Sequence, residues 1–332
     1  MKFFLHAGLP KTGSSAIQMQ LAVYKIHIES YGVCMPTRDP KLLERLAKGA
    51  IASGNGQALH LALLSSSLDS VVELLRHGLD APEGFKNFLY SCELLIPSLS
   101  TLERFKLLRK ALIILGFSEL KILLFVRNPA SHALSWYGEC IKQGKLTITI
   151  DEYLNNYNFP LKTANLVRLA TDISDSELSV DIELRNYSTL KHSVIDAVWN
   201  WMNIPAPKQD VTLCKPVNRS LSLSESEFCR QLAIAGCKPG FLAKSLAIAL
   251  PFVKPSYYNP TQDSLDKMYS RMLSSLQFLN SLLPSSEQLT LSAGDENIDT
   301  SSAATDEFTF SSEQLFHIAQ QIAPYIKGDK RS

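Results

Sequence analysis

The N-terminal stretch decides the fold prediction, and it reads Met1-Lys2-Phe3-Phe4-Leu5-His6-Ala7-Gly8-Leu9-Pro10-Lys11-Thr12-Gly13-Ser14-Ser15. Residues 2–7 form a short apolar run that ends at Gly8, as a buried strand does. Apolar side chains at helical spacing follow over residues 14–28, so the stretch predicts a strand, a glycine-containing turn and a helix. Such a turn presents backbone N–H groups at the positive end of the helix dipole. We therefore expect an anion-binding site directly after the first strand.

Strands and helices alternate along the rest of the chain. Short apolar runs predict further strands at residues 31–35, 87–91, 121–126 and 179–184. Helical spacing predicts helices at residues 41–78 with a break near 53–56, and at 102–115, 129–142, 161–171, 188–202, 223–235 and 262–283. This alternation is typical of parallel βαβ units, so we predict an α/β fold.

Composition and charge exclude several classes of protein. The chain is 45% hydrophobic and 20% charged, which are globular values. Its net charge is +1, which argues against a duplex-DNA binder with a broad basic face. No apolar run approaches the ~20 residues that span a bilayer, and the N-terminal run is too short for a signal peptide. The six cysteines are scattered, as in reduced cytosolic proteins. We expect a cytoplasmic protein with no nucleic-acid partner and no stable membrane insertion.

The 332 residues allow one large domain or two small ones. We predict a single α/β domain over residues 1–283. Residues 284–312 are rich in serine, threonine and acidic side chains and poor in aliphatic ones, so we expect a mobile surface segment. A C-terminal helix and tail are predicted over residues 313–332.

The loop after the first strand is close to a P-loop, with one difference. Gly8 and Gly13 have the separation of the glycines in the pattern GxxxxGK[ST]. Ser14 stands where that pattern has lysine, and Lys11 lies inside the loop. A kinase lysine reaches the β- and γ-phosphates from the helix start, whereas a lysine inside the loop would lie beside a shorter group on one phosphate. The alternative is an ordinary strand–helix turn with a surface lysine.

The segment Pro10-Lys11-Thr12-Gly13-Ser14-Ser15 resembles the 5′-phosphosulfate-binding loop of sulfotransferases, which use 3′-phosphoadenosine 5′-phosphosulfate as donor. The usual loop of that family reads Pro-Lys-Ser/Thr-Gly-Thr-Thr, so both final threonines are serines here and the hydroxyl groups remain. The resemblance implies a P-loop NTPase-like, three-layer α/β fold with a largely parallel sheet of about five strands. It also implies that Lys11 is catalytic and that no metal is needed, because the lysine supplies the charge that Mg²⁺ supplies in kinases. The implied donor-binding residues of this loop are Lys11, Thr12, Gly13, Ser14 and Ser15.

A second motif follows the fourth predicted strand. Arg127 stands at the carboxyl end of that strand, and Ser135 lies about two turns along the next helix. An arginine and a hydroxyl so placed can bind one phosphate between them. The pair resembles the 3′-phosphate motif of the sulfotransferase family, an arginine followed by proline and, eight positions on, by serine. The alternative is an arginine at the sheet edge and a serine on a polar helix face.

The third predicted strand is followed by Cys92 and Glu93. Ligands of open α/β sheets bind outside the carboxyl ends of the strands, so Lys11, Glu93 and Arg127 are expected on one rim. Sulfuryl transfer to an alcohol needs a base for the hydroxyl proton and positive charge on the leaving oxygen. Glu93 and Lys11 suit these roles. The sequence Ser-Cys-Glu is similar to the Ser-Ser-Glu of some bacterial members, in a family whose carbohydrate enzymes often use glutamate as base where phenol and steroid enzymes use histidine. The alternative is that Glu93 is an acid stabilised by a helix N-terminus.

Two weaker matches concern the nucleotide. Tyr187 follows the fifth predicted strand and resembles the tyrosine of the family's Tyr-Glu-Asp-Leu segment, which lies near the adenine, although Ser188 and Thr189 replace the acids. Arg219 lies in a stretch similar to one in bacterial relatives, and the resemblance implies that it covers the 3′-phosphate. Its alternative is a loop residue next to a helix cap. The Arg-Lys-Gly lid sequence of animal cytosolic enzymes is not recognisable here.

The sequence therefore predicts a bacterial sulfotransferase that moves a sulfuryl group from 3′-phosphoadenosine 5′-phosphosulfate to a hydroxyl or amine. The expected acceptor is a small molecule, a glycan or a glycan precursor. One alternative is a P-loop kinase, which predicts a lysine after the second glycine and an acid for Mg²⁺. Another is a non-catalytic nucleotide-binding protein, which would tolerate loss of Lys11 or Arg127. The oligomeric state cannot be predicted from the sequence.

Overall fold

A computed structural model describes residues 1–39, 41–48, 52–79, 84–172, 177–208, 219–256, 258–296, 298 and 308–326. Five strands form one sheet: β1 (Lys2–His6), β2 (Val33–Cys34), β3 (Asn87–Ser91), β4 (Glu119–Val126) and β5 (Ser179–Asn186). Every pairing is parallel, and the strand order is β2-β3-β1-β4-β5. The predicted α/β fold with a largely parallel sheet of about five strands is confirmed.

Helices connect the strands and follow the sheet. Up to β4 they are α1 (Ser14–Val23), α2 (Lys25–Ser30), α3 (Leu42–Ala47), α4 (Gln57–Leu64), α5 (Leu68–Leu79), α6 (Leu95–Leu99) and α7 (Leu102–Ile114). After β4 they are α8 (Pro129–Lys142), α9 (Ile150–Asn156), α10 (Phe159–Asp172), α11 (Tyr187–Leu190), α12 (Val194–Met202), α13 (Leu223–Ile234), α14 (Gly240–Ala249), α15 (Gln262–Leu282) and α16 (Ser312–Ile326). Short 3₁₀ helices occupy Ser285–Glu287 and Ala293–Asp295.

Several predicted elements are divided or shortened in the structure. The helix predicted over 14–28 breaks at Tyr24 into α1 and α2, and the one predicted over 188–202 divides into α11 and α12. The second strand keeps only two residues, since it pairs with β3 only through Val33 and Cys34. Apolar spacing locates such elements but does not fix their ends, because the ends depend on which neighbours pair with them.

The sheet has a helix layer on each face. On one face, Phe4 of β1 meets Trp201 of α12 edge-on, with ring centroids 5.2 Å apart, and α1 buries Ile17 and Leu21 in the same core. On the opposite face, Phe3 stacks on Tyr90 of β3 at 5.1 Å. Successive side chains of a strand point to opposite faces, so the continuous apolar run of β1 serves both layers.

The strand order opens a crevice at the carboxyl edge of the sheet. From β1 the chain moves to β2 and β3 on one side, and it then crosses to β4 and β5 on the other. The connections leaving β1 and β4 therefore diverge, and a ligand crevice forms where neighbouring connections diverge. Lys11 follows β1 and Arg127 follows β4. The topology thus gathers both predicted cations at the edge where an α/β sheet binds its ligand.

The chain divides into two compact units. The first comprises Met1–Pro129, Asn158–Lys215 and Met272–Leu291 and contains the whole sheet. The second comprises Ala130–Tyr157, Pro216–Arg271 and Ser292–Ser332, and its described elements are helices. The sequence predicts one domain over residues 1–283, whereas each unit collects segments from distant parts of the chain. Sequence order gives no sign of this division, because no linker composition separates the segments.

Two buried carboxylates hold the described part of residues 284–312. In the first unit, Glu287 pairs with Nη2 of Arg185 at 2.7 Å and accepts a hydrogen bond from the N–H of Asn186 at 3.0 Å. In the second unit, Glu296 accepts hydrogen bonds from the N–H groups of Ala130 at 3.0 Å and Ser131 at 2.9 Å. The mobility predicted for this segment stays a prediction, and both carboxylates bond to partners far away in sequence. Residues 297 and 299–307 lie outside the described residues.

Candidate functional site

The loop between β1 and α1 holds two residues in the left-handed backbone region. Lys11 has a φ angle of 65° and Gly13 one of 82°. A positive φ costs free energy for a residue with a side chain, and such conformations cluster at functional sites. Gly13 is the N-cap of α1 and offers no side-chain hydrogen bond, and the first turn contains no acidic residue. No carboxylate of that turn neutralises the positive end of α1, which suits the binding of an anion.

The predicted phosphate-binding hydroxyls divide into two groups. Thr12 and Ser14 are buried, and both donate to the carbonyl oxygen of Leu9, at 2.6 Å and 3.2 Å. Ser15, at the start of α1, is exposed. Two of the three hydroxyls therefore stabilise the loop by internal hydrogen bonds. Its outer surface is left to the backbone N–H groups and Ser15.

Arg127 joins the loop to the neighbouring strand. Its Nη1 donates to the carbonyl oxygen of Lys11 at 3.1 Å, and its guanidinium lies 5.9 Å from the ring centroid of Tyr187. Arg127 is half-buried, and no carboxylate of the described residues pairs with it. A half-buried cation without a carboxylate partner is well suited to bind an anionic ligand. The ends of β1, β4 and β5 thus bring three of the predicted site residues together.

The ring of Tyr187 lies against the backbone of the loop. A Cβ atom at Gly13 would come within 2.8 Å of Cε2 of Tyr187. Glycine is therefore required at position 13 both by the positive φ and by this close approach. The contact places an aromatic face next to the first turn of α1, where a planar base could stack.

Glu93 lies just beyond β3, the strand next to β1. The N–H of Cys92 donates to the carbonyl oxygen of His6 at 3.0 Å, so the parallel pairing of β1 and β3 continues to this point. Glu93 is half-buried. Burial raises the pKa of the neighbouring Cys92 thiol to about 12, so that thiol stays protonated at neutral pH and is no nucleophile. Glu93 therefore lies on the predicted rim, and its role as a base stays a prediction.

The segment at residues 53–56, predicted only as a helix break, builds the carboxyl end of β3. Asn55 donates to the carbonyl oxygens of Leu89 at 2.8 Å and Pro36 at 3.0 Å, and it accepts a hydrogen bond from the N–H of Ser91 at 2.9 Å. The N–H of Gly56 donates to the carbonyl oxygen of Ser91 at 3.0 Å. This segment therefore fixes the backbone that leads to Glu93. An asparagine between two glycines was the available sequence signal.

Two predicted site residues belong to the second unit. Ser135 is half-buried on α8, and its pairing with Arg127 stays a prediction. Arg219 is half-buried and bonded to both carboxylate oxygens of Glu225, each at 2.7 Å. It also donates to the carbonyl oxygens of Leu250, Ser220 and Leu246. These five bonds use all five N–H groups of a guanidinium, so we assign Arg219 a structural role and leave it out of the proposed nucleotide site.

His6, the last residue of β1, is a buried histidine next to the loop. Its Nδ1 lies 2.8 Å from Oγ of Ser91, and its Nε2 has no hydrogen-bond partner among the described residues. A Cβ at Gly8 would lie 2.7 Å from that Nε2. Burial lowers the pKa of the imidazole to about 4, so His6 is neutral at physiological pH.

This burial predicts a pH-dependent stability. An unfolded histidine has a pKa of about 6.5, so between pH 6.5 and pH 4 the unfolded chain binds a proton that folded His6 does not bind. The free energy of unfolding therefore has its full contribution from neutral His6 above pH 6.5. It falls by about 3 kcal/mol as the pH is lowered toward 4. Urea unfolding of the parent and of His6→Asn over this range should show a shallower pH slope in the variant. Equal slopes would contradict the buried, neutral imidazole.

Three further observations concern the described ranges. No group of three or more His, Cys, Asp or Glu side chains there is arranged to hold a metal ion. No helix in these ranges is both long enough and apolar enough to cross a membrane. The five cysteines within them are free thiols, and Cys214 lies outside the described residues.

Comparisons with known proteins give a likeness among solved structures alone. No family model matches the sequence, and no curated protein matches it. Among solved structures, the sulfotransferase domain from the Synechococcus PCC 7002 olefin synthase is similar to this chain at 14% sequence identity. The match covers 82% of this chain and 94% of that domain, with a TM-score of 0.35. A TM-score this low carries no argument about function.

Proposed function

We propose that this protein transfers a sulfuryl group from 3′-phosphoadenosine 5′-phosphosulfate to a hydroxyl or amine group of a small-molecule or glycan acceptor. The observation that carries the proposal is the meeting of the Lys11 loop, Arg127 and Tyr187 at the ends of three strands. An uncapped helix N-terminus, a half-buried arginine and an aromatic ring are what a nucleotide with separate phosphates and a planar base requires.

The donor fits these residues in a definite order. The backbone N–H groups at Gly13, Ser14 and Ser15 hold the 5′-phosphate at the start of α1, next to the ring of Tyr187. Arg127 binds the 3′-phosphate with the N–H groups that it does not give to Lys11. Tyr187 lies beside the adenine. When bound, the donor supplies an activated sulfuryl group and a phosphate leaving group.

Lys11 and Glu93 have separate tasks in the transfer. Glu93 takes the proton of the acceptor hydroxyl, so that the acceptor oxygen can form its bond to sulfur. Lys11 neutralises the negative charge that collects on the bridging phosphate oxygen as the old sulfur–oxygen bond breaks. The position of Lys11 inside the loop, rather than after Gly13, supports a role beside a group attached to a single phosphate.

Replacement of Arg127 tests the nucleotide site. In Arg127→Gln, the affinity for 3′-phosphoadenosine 5′-phosphate should fall by about 10–100-fold, because a charge-assisted hydrogen bond of about 1.5–3 kcal/mol is lost. The affinity for adenosine 5′-phosphate, which lacks the 3′-phosphate, should change much less. Isothermal titration calorimetry with both nucleotides measures the ratio.

Arg168 offers a matched control for this experiment. It is a half-buried arginine of the same unit and stacks on Phe278, 4.4 Å from the ring centroid. Arg168→Gln should leave both affinities unchanged. If Arg127→Gln weakened the two nucleotides equally, Arg127 would act only through its bond to the loop, and the 3′-phosphate site would be lost from the proposal.

A further inference from the structure

A cavity of about 500 Å³ lies along the edge strand β2 in the first unit. Its volume is within the range of about 300–1,000 Å³ found for small-molecule sites. Met35, Leu74 and Phe85 provide apolar wall, and Arg38 and Tyr90 provide polar groups. The described residues that line it include none from the loop that follows β1.

The hydroxyl of Tyr90 points to a ligand. Tyr90 is only 4% exposed, and its hydroxyl has no hydrogen-bond partner among the described residues. The hydroxyl lies against Gly78, where a Cβ would overlap it, and near Pro36, and both of these residues line the cavity. Burial raises the pKa of Tyr90, so the hydroxyl keeps its proton and can donate it. Tyr90 lines the cavity, so a ligand there can accept the proton of this hydroxyl.

The charges at the cavity favour an anion. Lys25 and Glu29 both line the cavity and pair with each other at 3.2 Å, so their charges cancel. Arg38 is exposed at the cavity, and no carboxylate of the described residues pairs with it. One cation therefore remains beside an apolar wall and a free hydroxyl donor.

We infer that this cavity is a second ligand site, which takes a small molecule with an apolar body and a single anionic group. The body packs on Met35, Leu74 and Phe85, the anionic group pairs with Arg38, and a polar atom of the ligand accepts the proton of Tyr90. This inference does not depend on the proposed reaction, because it uses no residue of the nucleotide loop.

Binding of 2-naphthoate to the full chain tests the inference. Calorimetry should show a dissociation constant below about 1 mM, and 2-naphthol, which has the same rings without the carboxylate, should bind at least about tenfold more weakly. Arg38→Gln and Tyr90→Phe should each weaken naphthoate binding by about tenfold. Arg45→Gln is the matched control, because Arg45 pairs with Asp39 and does not line the cavity.

The variants separate binding from folding. Tyr90→Phe removes only an oxygen that no described residue bonds, so its melting temperature should equal or exceed that of the parent. Ala58→Leu fills the cavity from α4 and should abolish naphthoate binding. Absence of binding to the parent, or equal affinity in the parent, Arg38→Gln and Ala58→Leu, would overturn the inference. Loss of naphthoate binding in Arg127→Gln would also overturn it, since the probe would then occupy the nucleotide loop.

Discussion

Lys11→Met should lower the rate of sulfuryl transfer by about 10²–10³-fold, the effect of removing one preorganised group that stabilises charge in a transition state. Methionine keeps the Cβ and the unbranched chain of lysine, so the left-handed backbone at this position carries a similar strain. Donor affinity should fall as well, because the ammonium also attracts the bound phosphate. Turnover can be followed with ³⁵S-labelled donor and an acceptor found by screening sugars, lipids and phenols.

Lys2 provides the control for this substitution. It lies at the amino end of the same strand β1 and pairs with Glu119 at 2.9 Å. Lys2→Met should leave turnover and donor affinity at the parental values. A donor with a better leaving group should partly restore the rate of Lys11→Met, because less charge then needs neutralising. Parental turnover in Lys11→Met would remove the lysine from the reaction.

Glu93→Gln should lower turnover by about 10²–10⁴-fold, the range typical of general acid–base groups, while donor affinity stays nearly intact. The amide keeps the shape of the side chain but cannot accept the acceptor's proton. Single-turnover rates with labelled donor, measured beside calorimetric donor affinity, separate this result from that of Lys11→Met, in which both quantities fall.

Glu103 tests the alternative role of Glu93. It is an exposed acid in the first turn of α7, so Glu103→Gln removes a helix-terminal carboxylate without touching the rim. Turnover should be unchanged in Glu103→Gln. If Glu93→Gln kept the parental rate, Glu93 would be no more than such a helix-terminal acid. The base would then have to be sought elsewhere, while the sulfotransferase proposal itself would stand.

The sheet could be predicted because each strand is a short apolar run with its own boundary signal. The strand predicted at residues 87–91 is found there unchanged, and the one at 121–126 begins two residues earlier, at Glu119. The loop after β1 and Arg127 could be predicted as site residues for the same reason, because each belongs to a local motif directly after a strand. Topology then brings them to one edge without further information from the sequence.

The remaining features depend on contacts between distant segments. Asn55 fixes the end of β3 through a bond to Leu89 34 residues away. Arg219 is of a residue type that often binds anions, yet its guanidinium is bonded to Glu225 and to three carbonyl oxygens. Glu287, in a segment poor in aliphatic residues, accepts a hydrogen bond from Asn186, 101 residues away. In each case the partner that decides the role of the residue is chosen by the fold, and a single sequence does not reveal it.

Calorimetric titration of the parent protein with nucleotides tests the central claim most directly. The three titrants are 3′-phosphoadenosine 5′-phosphate, adenosine 5′-phosphate, and ATP with Mg²⁺. The proposal predicts that the first binds at least about tenfold more tightly than either of the others, because it alone carries a 3′-phosphate for Arg127. Equal affinity for adenosine 5′-phosphate, or tighter binding of ATP with Mg²⁺, would contradict the assignment of this site to a sulfuryl donor.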